Sequence, residues 1–245
     1  MFNKGGSLPF DVEKLNLKSP RRELNLPDKW SRELGQVLGW LIGGGALTRE
    51  KVIFYFGAEE YNLLPYFAKI LNKWNNYEVK PHEHGGVRRL QYHAQGMVEF
   101  FSRLGVKKVK SMDKEVPKTI FTATKEAVSG FLQALFTADG TIGTGKNRGQ
   151  VRLTTASEIL AKQVQLLLLS FGIKSKRYRR KYSKSKPFVY TAKKGEKRYY
   201  ESRGNYYYEL VITRQNLERF YNCLLYTSDA ADDGESVDLG GRRII

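Results

Sequence analysis

The chain has 245 residues, a formal net charge of +17 at pH 7 and a single cysteine. One cysteine excludes an intrachain disulfide framework and a cysteine-based zinc site, and no apolar run reaches the roughly 18 residues that span a membrane. So large a positive charge indicates a polyanionic partner, for which nucleic acid is the best candidate. We expect an intracellular, cytoplasmic protein with no membrane association.

A first folding unit is predicted over residues 31–109, after a lead segment at 1–30 that carries little pattern. Apolar periodicity and helix-end residues place its elements in this order: a helix from the N-cap Ser31 to Gly43, a strand at 52–56, a helix at 59–74, strands around 77–82 and 87–93, and a helix at 95–104. Pro65 either kinks the second helix or marks its true start.

A second unit, residues 126–222, repeats this order after a linker at 110–125. Its elements are predicted as a helix at 126–138, a strand at 150–155, a helix at 157–170, strands at 174–182 and 206–213, and a helix from 214, with a loose loop over 183–197. The repeat predicts an α+β fold of two pseudo-symmetric αββαββα halves, each with an antiparallel four-stranded sheet that faces DNA. An internal two-fold suits duplex DNA, whose strands are themselves related by two-fold axes.

The first helix of each unit ends in a glycine-rich segment, Val37-Leu-Gly-Trp-Leu-Ile-Gly-Gly-Gly45 and Leu132-Gln-Ala-Leu-Phe-Thr-Ala-Asp-Gly140. Small residues four positions apart lie on one helix face and let two helix backbones approach closely. The residues predicted at this helix interface are Gly39, Gly43, Gly45, Ala134, Ala138 and Gly140. Asp139 precedes the last glycine of the second segment, whereas Gly44 takes that place in the first. A carboxylate at the negative end of a helix dipole favours a bound cation.

Polar residues suited to nucleic acid alternate along several predicted strands, and alternate residues of a strand share one face of a sheet. The segment 174–198 also holds twelve Lys and Arg residues against one acid, so binding should weaken steeply with salt. The residues that we assign to DNA contact are Arg89, Gln91, His93, Gln150, Arg152, Thr154, Lys176 and Arg180. A charged run is also typical of a solvated surface or loop, so recognition of individual bases stays open.

His82 and His84 flank Glu83 on a predicted strand, where alternate positions bring two imidazoles to one face. Because no third ligand stands out in the sequence, a surface position or a DNA contact is preferred to metal binding for this pair.

These features together resemble the LAGLIDADG homing endonucleases, in the monomeric two-motif form found within inteins. The resemblance covers residues 31–222 and rests on the two glycine-rich segments, their spacing and the doubled topology. Lys114-Glu-Val-Pro117, followed by Ile120-Phe121, also resembles the lysine block between the two motifs of intein endonucleases. A prokaryotic or phage origin is expected on the same ground.

The resemblance implies hydrolysis of both strands of double-stranded DNA at a long, rare site, by a monomer with an internal pseudo-two-fold axis. In this family an acid from each motif holds a divalent metal ion, usually Mg2+, which activates water and stabilises charge on the phosphate. Carried over, Asp139 is the catalytic metal ligand, and Lys114 is a catalytic positive charge near one scissile phosphate. The alternative for Lys114 is a surface lysine before a proline turn.

Gly44 is the departure from the family pattern. The family has an acid at this position, and glycine offers no side-chain ligand. We therefore predict that cleavage of both strands is impaired, with nicking through Asp139 at best. The alternative is a catalytically inactive DNA- or RNA-binding protein, maturase-like or regulator-like, on the same scaffold. Protein splicing is a third possibility, and it depends on residues beyond both ends of the sequence.

The C-terminal segment has a different character from the rest of the chain. Cys223-Leu-Leu-Tyr-Thr-Ser-Asp-Ala-Ala-Asp-Asp233 resembles a translated transposon-end adapter of a sequencing library. Residues 223–245 are therefore predicted to be an artefact outside the fold, and the last helix is predicted to be truncated at residue 222.

Overall fold

A computed structural model of the protein describes residues 2–15, 23–143, 149–182, 188–191, 197–200 and 206–225. Its secondary structure follows the predicted repeat. The helices are α1 (Arg32–Gly44), α2 (Leu64–Asn75), α3 (Gln95–Arg103), α4 (Lys125–Asp139), α5 (Glu158–Ser170) and α6 (Leu217–Phe220). The strands are β1 (Gly45–Leu47), β2 (Val52–Phe56), β3 (His82–His84), β4 (Val87–Tyr92), β5 (Gly140–Ile142), β6 (Gln150–Thr155), β7 (Lys176–Lys181), β8 (Phe188–Thr191), β9 (Lys197–Tyr200) and β10 (Tyr206–Thr213).

Each half is built on a four-stranded antiparallel sheet, with strand order β1-β2-β4-β3 in the first and β5-β6-β10-β7 in the second. This arrangement confirms the predicted α+β fold of two αββαββα halves. A hairpin of β8 and β9 lies between β7 and β10 in sequence, so the loop predicted over 183–197 is wrong for Phe188–Thr191. None of the helices in the described ranges has the length and apolar character needed to cross a bilayer.

The helix starts predicted at Ser31 and Ser157 are confirmed by capping contacts, whereas the helix predicted from residue 59 begins only at Leu64. Ser31 Oγ accepts a hydrogen bond from the Leu34 amide at 3.1 Å, and Ser157 Oγ caps α5 in the same way, which satisfies an amide that has no partner within the helix. Pro65 lies in the first turn of α2, where its missing amide hydrogen costs nothing. Pro65 therefore marks a helix start and does not kink a longer helix.

The strand predicted around 77–82 is wrong, because β3 begins only at His82. The residues before it stay attached to the end of α2, where Asn72 Oδ1 accepts a hydrogen bond from the Val79 amide at 3.0 Å. Pro81 has no amide hydrogen to offer a neighbouring strand. The strand therefore begins later than predicted, because the residues before His82 are bound to a side chain at the end of α2.

The core of the molecule is the pair of helices α1 and α4, whose backbones lie against each other. A Cβ atom placed on Gly39 would penetrate the Phe131 carbonyl oxygen and lie 3.1 Å from Ala134 Cβ, and one on Gly43 would lie 2.7 Å from Ala138 Cβ. These contacts agree with the interface predicted from Gly39, Gly43, Ala134 and Ala138. Close approach of this kind requires small residues at the crossing.

The helix contact extends one turn further towards the helix starts than predicted. A Cβ atom on Gly35 would penetrate the carbonyl oxygen of Ala127, and one on Gly130 would penetrate that of Arg32. The sequence held this signal, because Gly35 continues the four-residue spacing that begins at Gly39.

Gly45 and Gly140 have a different role from the one predicted. A Cβ atom on Gly45 would lie 2.8 Å from the Ile53 carbonyl oxygen and from Leu41, and one on Gly140 would penetrate the Phe136 carbonyl oxygen of its own helix. The close neighbours therefore belong to the adjoining strand and to the same helix, so these glycines permit the tight change from helix to strand.

Gly39→Ala is expected to destabilise the fold by about 2 kcal/mol, because the new methyl group meets a backbone oxygen that cannot move aside. The loss should exceed the helix-propensity gain of about 1 kcal/mol that alanine brings. The control is Gly5→Ala, whose new Cβ would have Asn3 Oδ1 as its near neighbour at 3.5 Å. Denaturant unfolding of both variants measures the difference, and equal stabilities would contradict close packing of the two helices.

The lead segment at 1–30 is anchored to the rest of the molecule despite its lack of sequence pattern. Leu8, Leu24 and Trp30 are buried in the core, and the Asn3 amide donates a hydrogen bond to the Ala123 carbonyl at 3.0 Å. These residues are far apart in the sequence and follow no periodic pattern, so the sequence alone does not predict their burial.

The last helical segment continues beyond the predicted end at residue 222, as a π-turn over Tyr221–Leu225. Leu224 is fully buried, and its carbonyl accepts a hydrogen bond from the Arg32 guanidinium at 2.8 Å. Ser129 Oγ donates to the Cys223 carbonyl at 2.7 Å. Residues 226–245 lie outside the described residues, and the artefactual origin of 223–245 stays a prediction.

Candidate functional site

The C-terminal ends of α1 and α4 meet at the centre of the molecule. Gly44 is the last residue of α1, and Asp139 is the last residue of α4. A Cβ atom on Gly43 would lie 3.4 Å from Asp139 Oδ2, so the Asp139 carboxylate touches the end of the opposite helix. The structure thus brings the two motif ends side by side, as the sequence predicts.

Asp139 is a largely buried carboxylate with unusual electrostatics. Burial raises the pKa of Asp139 to about 6, against the opposing effect of the nearby Lys114 ammonium. None of the described residues donates a hydrogen bond to this carboxylate. An ionised acid that is partly dehydrated, without hydrogen-bond donors and at the negative end of a helix favours a nearby cation.

Lys114 reaches across to the end of α1. Its Nζ donates to the carbonyl oxygens of Ile42 at 2.6 Å and Gly45 at 3.0 Å, and it lies 3.4 Å from that of Gly43. Burial lowers the pKa of Lys114, while the Asp139 carboxylate acts in the opposite direction. The alternative of a surface lysine is therefore wrong, because this ammonium caps the carbonyls at the C-terminus of α1.

The linker holds Lys114 in this position by two contacts of its own. The Lys114 carbonyl accepts a hydrogen bond from Ser157 Oγ at 2.6 Å, and the Val116 amide donates to Gln163 Oε1 at 2.7 Å. The linker is thus attached to α5 of the second half while its lysine caps the first half. Lys114 therefore bridges the two halves at their shared centre.

The position of the missing acid is narrow. A Cβ atom on Gly44 would lie 3.2 Å from both Trp40 Nε1 and the Tyr55 carbonyl oxygen, and these two atoms are themselves hydrogen-bonded at 3.2 Å. Such distances are tight but could be relieved by small shifts. The end of α1 therefore contributes no side-chain oxygen at the centre of the molecule. Of the two helix ends, only that of α4 supplies a carboxylate, which is Asp139.

These residues fit one divalent cation and not two. No group of three or more His, Cys, Asp or Glu residues that could hold a metal occurs in the part of the chain that the structure describes. Mg2+ is commonly held by one or two carboxylates, with water and substrate phosphates as its other ligands. Asp139 could serve in this way with DNA bound, whereas the end of α1 already carries the Lys114 ammonium.

The first sheet presents the predicted polar face. Arg89 and Gln91 alternate along β4 with the buried Leu90 and Tyr92, and the exposed His93 follows the strand. This alternation confirms that the predicted polar residues share the face away from the core. Their assignment to DNA stays a prediction.

His82 pairs with Arg89 across β3 and β4, so the first imidazole also belongs to this polar face. His84 lies two residues along the same strand. No third ligand joins them among the described residues.

The second sheet brings its predicted residues together in rows. Val211 of β10 pairs with Arg152 on one side and with Lys176 on the other, so these two cations lie on one face. Thr154 and Arg180 lie on that same face by alternation along their strands. Gln150, at the start of β6, pairs with Thr213 on this face as well. The structure thus brings onto one face of the sheet basic residues that lie on separate strands in the sequence.

Glu209 of β10 organises this basic face and was missed by the sequence analysis. It is only 6% exposed, and its two carboxylate oxygens accept hydrogen bonds from Arg152 Nη1 at 3.3 Å and Arg180 Nε at 3.0 Å. A lone acid within the otherwise uncharged strand Tyr206–Thr213 was the available signal. Glu209 fixes two arginines at set positions on the face that we assign to DNA.

The architecture is that of the LAGLIDADG fold. Residues 126–223 match the family model of a LAGLIDADG-like domain. A structure of mesophilic variants of the homing endonuclease I-DmoI matches with a TM-score of 0.54 at 15% identity, covering 80% of this chain and 96% of that one. I-DmoI in complex with DNA and Mn matches with a TM-score of 0.52 at 14% identity, covering 80% of this chain and 97% of that one.

Several curated proteins contain a segment related to this chain. A subunit of the A-type ATP synthase of Pyrococcus abyssi is 32% identical over 164 residues, which are 65% of this chain and 16% of that protein. The replication factor C small subunit of Methanocaldococcus jannaschii is 31% identical over 178 residues, 71% of this chain and 9% of that protein. The replicative DNA helicase DnaB of Rhodothermus marinus is 29% identical over 65% of this chain and 18% of that protein. The chain therefore spans less than a fifth of the length of each of these relatives.

Proposed function

We propose that this chain is a metal-dependent, site-specific DNA endonuclease domain of the homing type, acting as a monomer, which cuts one strand through Asp139 and has lost efficient cleavage of the other. The observation that carries the proposal is the asymmetry at the centre of the LAGLIDADG fold. One helix ends in a partly buried carboxylate, and the other ends in Gly44 with an ammonium bound to its carbonyls.

The sheets, Asp139 and Lys114 each have a separate role in the proposed reaction. The polar face of the first sheet and the basic face of the second sheet hold the DNA backbone on the two sides of the pseudo-two-fold axis. Asp139 would hold a divalent ion, of which Mg2+ is our first candidate, and such an ion polarises a phosphate oxygen and lowers the pKa of bound water. Lys114 is fixed by hydrogen bonds to the Ile42 and Gly45 carbonyls, so its charge is already in place to stabilise negative charge that develops on a nearby phosphate.

The relatives support a proposal about context. Segments of similar length match proteins named as a helicase, part of an ATP synthase and part of a replication factor, which are three different proteins. A domain that recurs as a small part of differently named proteins is best explained as an insert. We therefore propose that this chain is the endonuclease part of an intein, whose splicing residues would lie outside it.

The test is digestion of a supercoiled plasmid library that carries a randomised duplex insert, with Mg2+, with Mn2+ and with a chelator. We expect nicked circles that need the metal and little linear product, because one carboxylate serves one strand. Selected inserts would be sequenced and digested again as single plasmids. Efficient linearisation would contradict the loss of second-strand cleavage.

A second candidate function is DNA or RNA binding without cleavage. It is favoured by the packing beside Gly44, where the Trp40 indole donates a hydrogen bond to the Tyr55 carbonyl and occupies the space that an acidic side chain would need. Retention of DNA in a gel without nicking in either metal would support this candidate over the endonuclease.

A further inference from the structure

The edge strand of the second sheet, β7, is exposed along its whole length on both of its faces. Alternation places Lys176, Tyr178 and Arg180 on the face already assigned to DNA. Arg177, Arg179 and Lys181 must then point to the opposite side of the sheet. This second set plays no part in the function proposed above.

We propose that the opposite side of β7 is a separate binding site for single-stranded nucleic acid. The site consists of Arg177, Arg179, Lys181, Tyr206 and Tyr208, and we call it the back-face patch. Duplex DNA on the other face and a single strand on the back-face patch would then be bound at the same time.

The pairing register places the back-face patch. Arg177 pairs with Leu210, Arg179 with Tyr208 and Lys181 with Tyr206. Leu210 is fully buried, so this is the side of the sheet that packs on the core and α5. Cross-strand partners share a face, and the patch is therefore the uncovered end of the helix-covered side.

The chemistry of the patch combines stacking surfaces with positive charge. The Arg179 guanidinium lies over the Tyr206 ring, with 3.7 Å between Cζ and the ring centroid, and Tyr206 is 37% exposed. Unstacked bases pack on aromatic rings and on guanidinium planes, while the remaining guanidinium and ammonium donors bind phosphates. An arginine stacked on a tyrosine beside further cations supplies both kinds of contact.

The cations of the patch are less neutralised than those of the DNA-assigned face. Arg152 and Arg180 both bind the buried Glu209, whereas among the described residues no carboxylate lies within ion-pair distance of Arg177 or Arg179. Glu158 is the acid nearby: it interacts electrostatically with Arg177, and its carboxylate binds Lys162 at 2.7 Å and the Tyr208 hydroxyl at 3.1 Å. The patch is therefore partly balanced at Arg177, whereas Arg179 is left to bind a ligand.

The shape of the patch favours one strand over a duplex. Helix α5 packs on β6, β7 and β10, yet every residue of β7 stays exposed beside it, as does Tyr206 at the adjoining end of β10. Two neighbouring strands make a strip about 10 Å wide. A single extended strand can follow such a strip, with bases towards the tyrosines and phosphates towards the arginines.

The experiment compares two matched double variants of the full chain, since both remove two cations from the same strand. Arg177→Ala/Arg179→Ala alters the back-face patch, and Lys176→Ala/Arg180→Ala alters the other face. The probes are labelled oligothymidine and oligouridine of about 16 nucleotides and a labelled random duplex, measured by fluorescence anisotropy over a range of salt. Tyr206→Leu, which leaves the charges unchanged, tests stacking.

We expect the back-face double variant to weaken single-strand binding by about tenfold and to lower its salt slope by about 1.4, with duplex affinity changed less than twofold. The other double variant should weaken duplex binding alone. Excess unlabelled duplex should leave the labelled single strand bound. The relative affinity of the two oligonucleotides then distinguishes DNA from RNA as the ligand.

Two results would overturn the second site. One is displacement of the single strand by duplex in proportion to duplex occupancy, which would mean one shared surface. The other is unchanged oligonucleotide affinity in the Arg177→Ala/Arg179→Ala variant. The outcome is independent of cleavage, because a chain that fails to nick DNA can still hold both probes, and a chain that nicks can lack the second site.

Discussion

Asp139→Asn is expected to abolish metal-dependent nicking while duplex binding stays within twofold of the unaltered chain. The amide keeps the shape of the side chain but cannot carry the charge that holds a divalent ion. Loss of such a group commonly lowers the rate by about a thousandfold or more. The measurement is the initial rate of nicking of a selected plasmid, with duplex affinity from anisotropy as the reference.

The same substitution should stabilise the protein at neutral pH. Because burial raises the pKa of Asp139 to about 6 from its ordinary 3.8, the folded state binds the proton more tightly than the unfolded state. Ionisation therefore costs stability progressively between about pH 4 and pH 6, and the full cost is present at pH 7. Asp139→Asn removes that cost, and we expect a gain of about 2 kcal/mol at pH 7 and almost none at pH 4.

Asp113→Asn is the matched control, since it makes the same chemical change at an exposed acid beside Lys114. It should alter neither nicking nor stability by a measurable amount. If Asp139→Asn lowered stability at pH 7, or if the two variants nicked equally well, Asp139 would not be the strained metal ligand that we propose. Nicking by the unaltered chain should also rise between pH 5 and pH 7, as the carboxylate ionises.

The parts of the fold that the sequence predicts well are those set by local rules. The start of α1 follows from the Ser31 cap, and Pro65 offered the true start of α2 as one of two alternatives, because each residue satisfies or removes an amide at a helix end. The closely packed helix pair follows from small residues four apart. Strands β1 and β5, of three residues each, were not located individually, since so short a run carries no measurable periodicity.

The candidate site was predicted only in part, because its remaining contacts are remote in sequence. Asp139 and Gly44 could be placed from the two motifs, but the bonds from Lys114 to the end of α1 join residues about seventy positions apart. The role of Glu209 depends on the order β6-β10-β7, which no local pattern specifies. The back-face patch likewise appears only once β7 is known to be an edge strand.

Gly44→Asp is expected to convert a nicking domain into one that makes linear product. The new carboxylate would stand at the end of α1, at the position that corresponds to Asp139 at the end of α4, and would supply the ligand that the second strand lacks. The Lys114 ammonium, already bound to the Ile42 and Gly45 carbonyls, would offset part of the repulsion between the two acids. A gain of about a hundredfold or more in second-strand cleavage is expected if this carboxylate restores a catalytic metal site.

Gly44→Asn is the control that separates charge from fit. Both side chains must displace Trp40 Nε1 and the Tyr55 carbonyl oxygen, each 3.2 Å from the new Cβ, so both variants should lose about 1 kcal/mol of stability for steric reasons. Only the aspartate variant places two acids together at two helix C-termini, which destabilises it further without metal. Mg2+ should therefore raise its melting temperature more than that of the asparagine variant.

The comparison of plasmid forms decides between the two readings of the asymmetric centre. Linear product from Gly44→Asp, with nicked circles from Gly44→Asn, would mean that a complete DNA-cleaving scaffold has lost a single ligand. If the aspartate variant folds and binds duplex yet still only nicks, the first half lacks more than its acid. The packing of Trp40 against Tyr55 would then be an adaptation to binding, and the chain would be best understood as a DNA-holding domain with one residual catalytic centre.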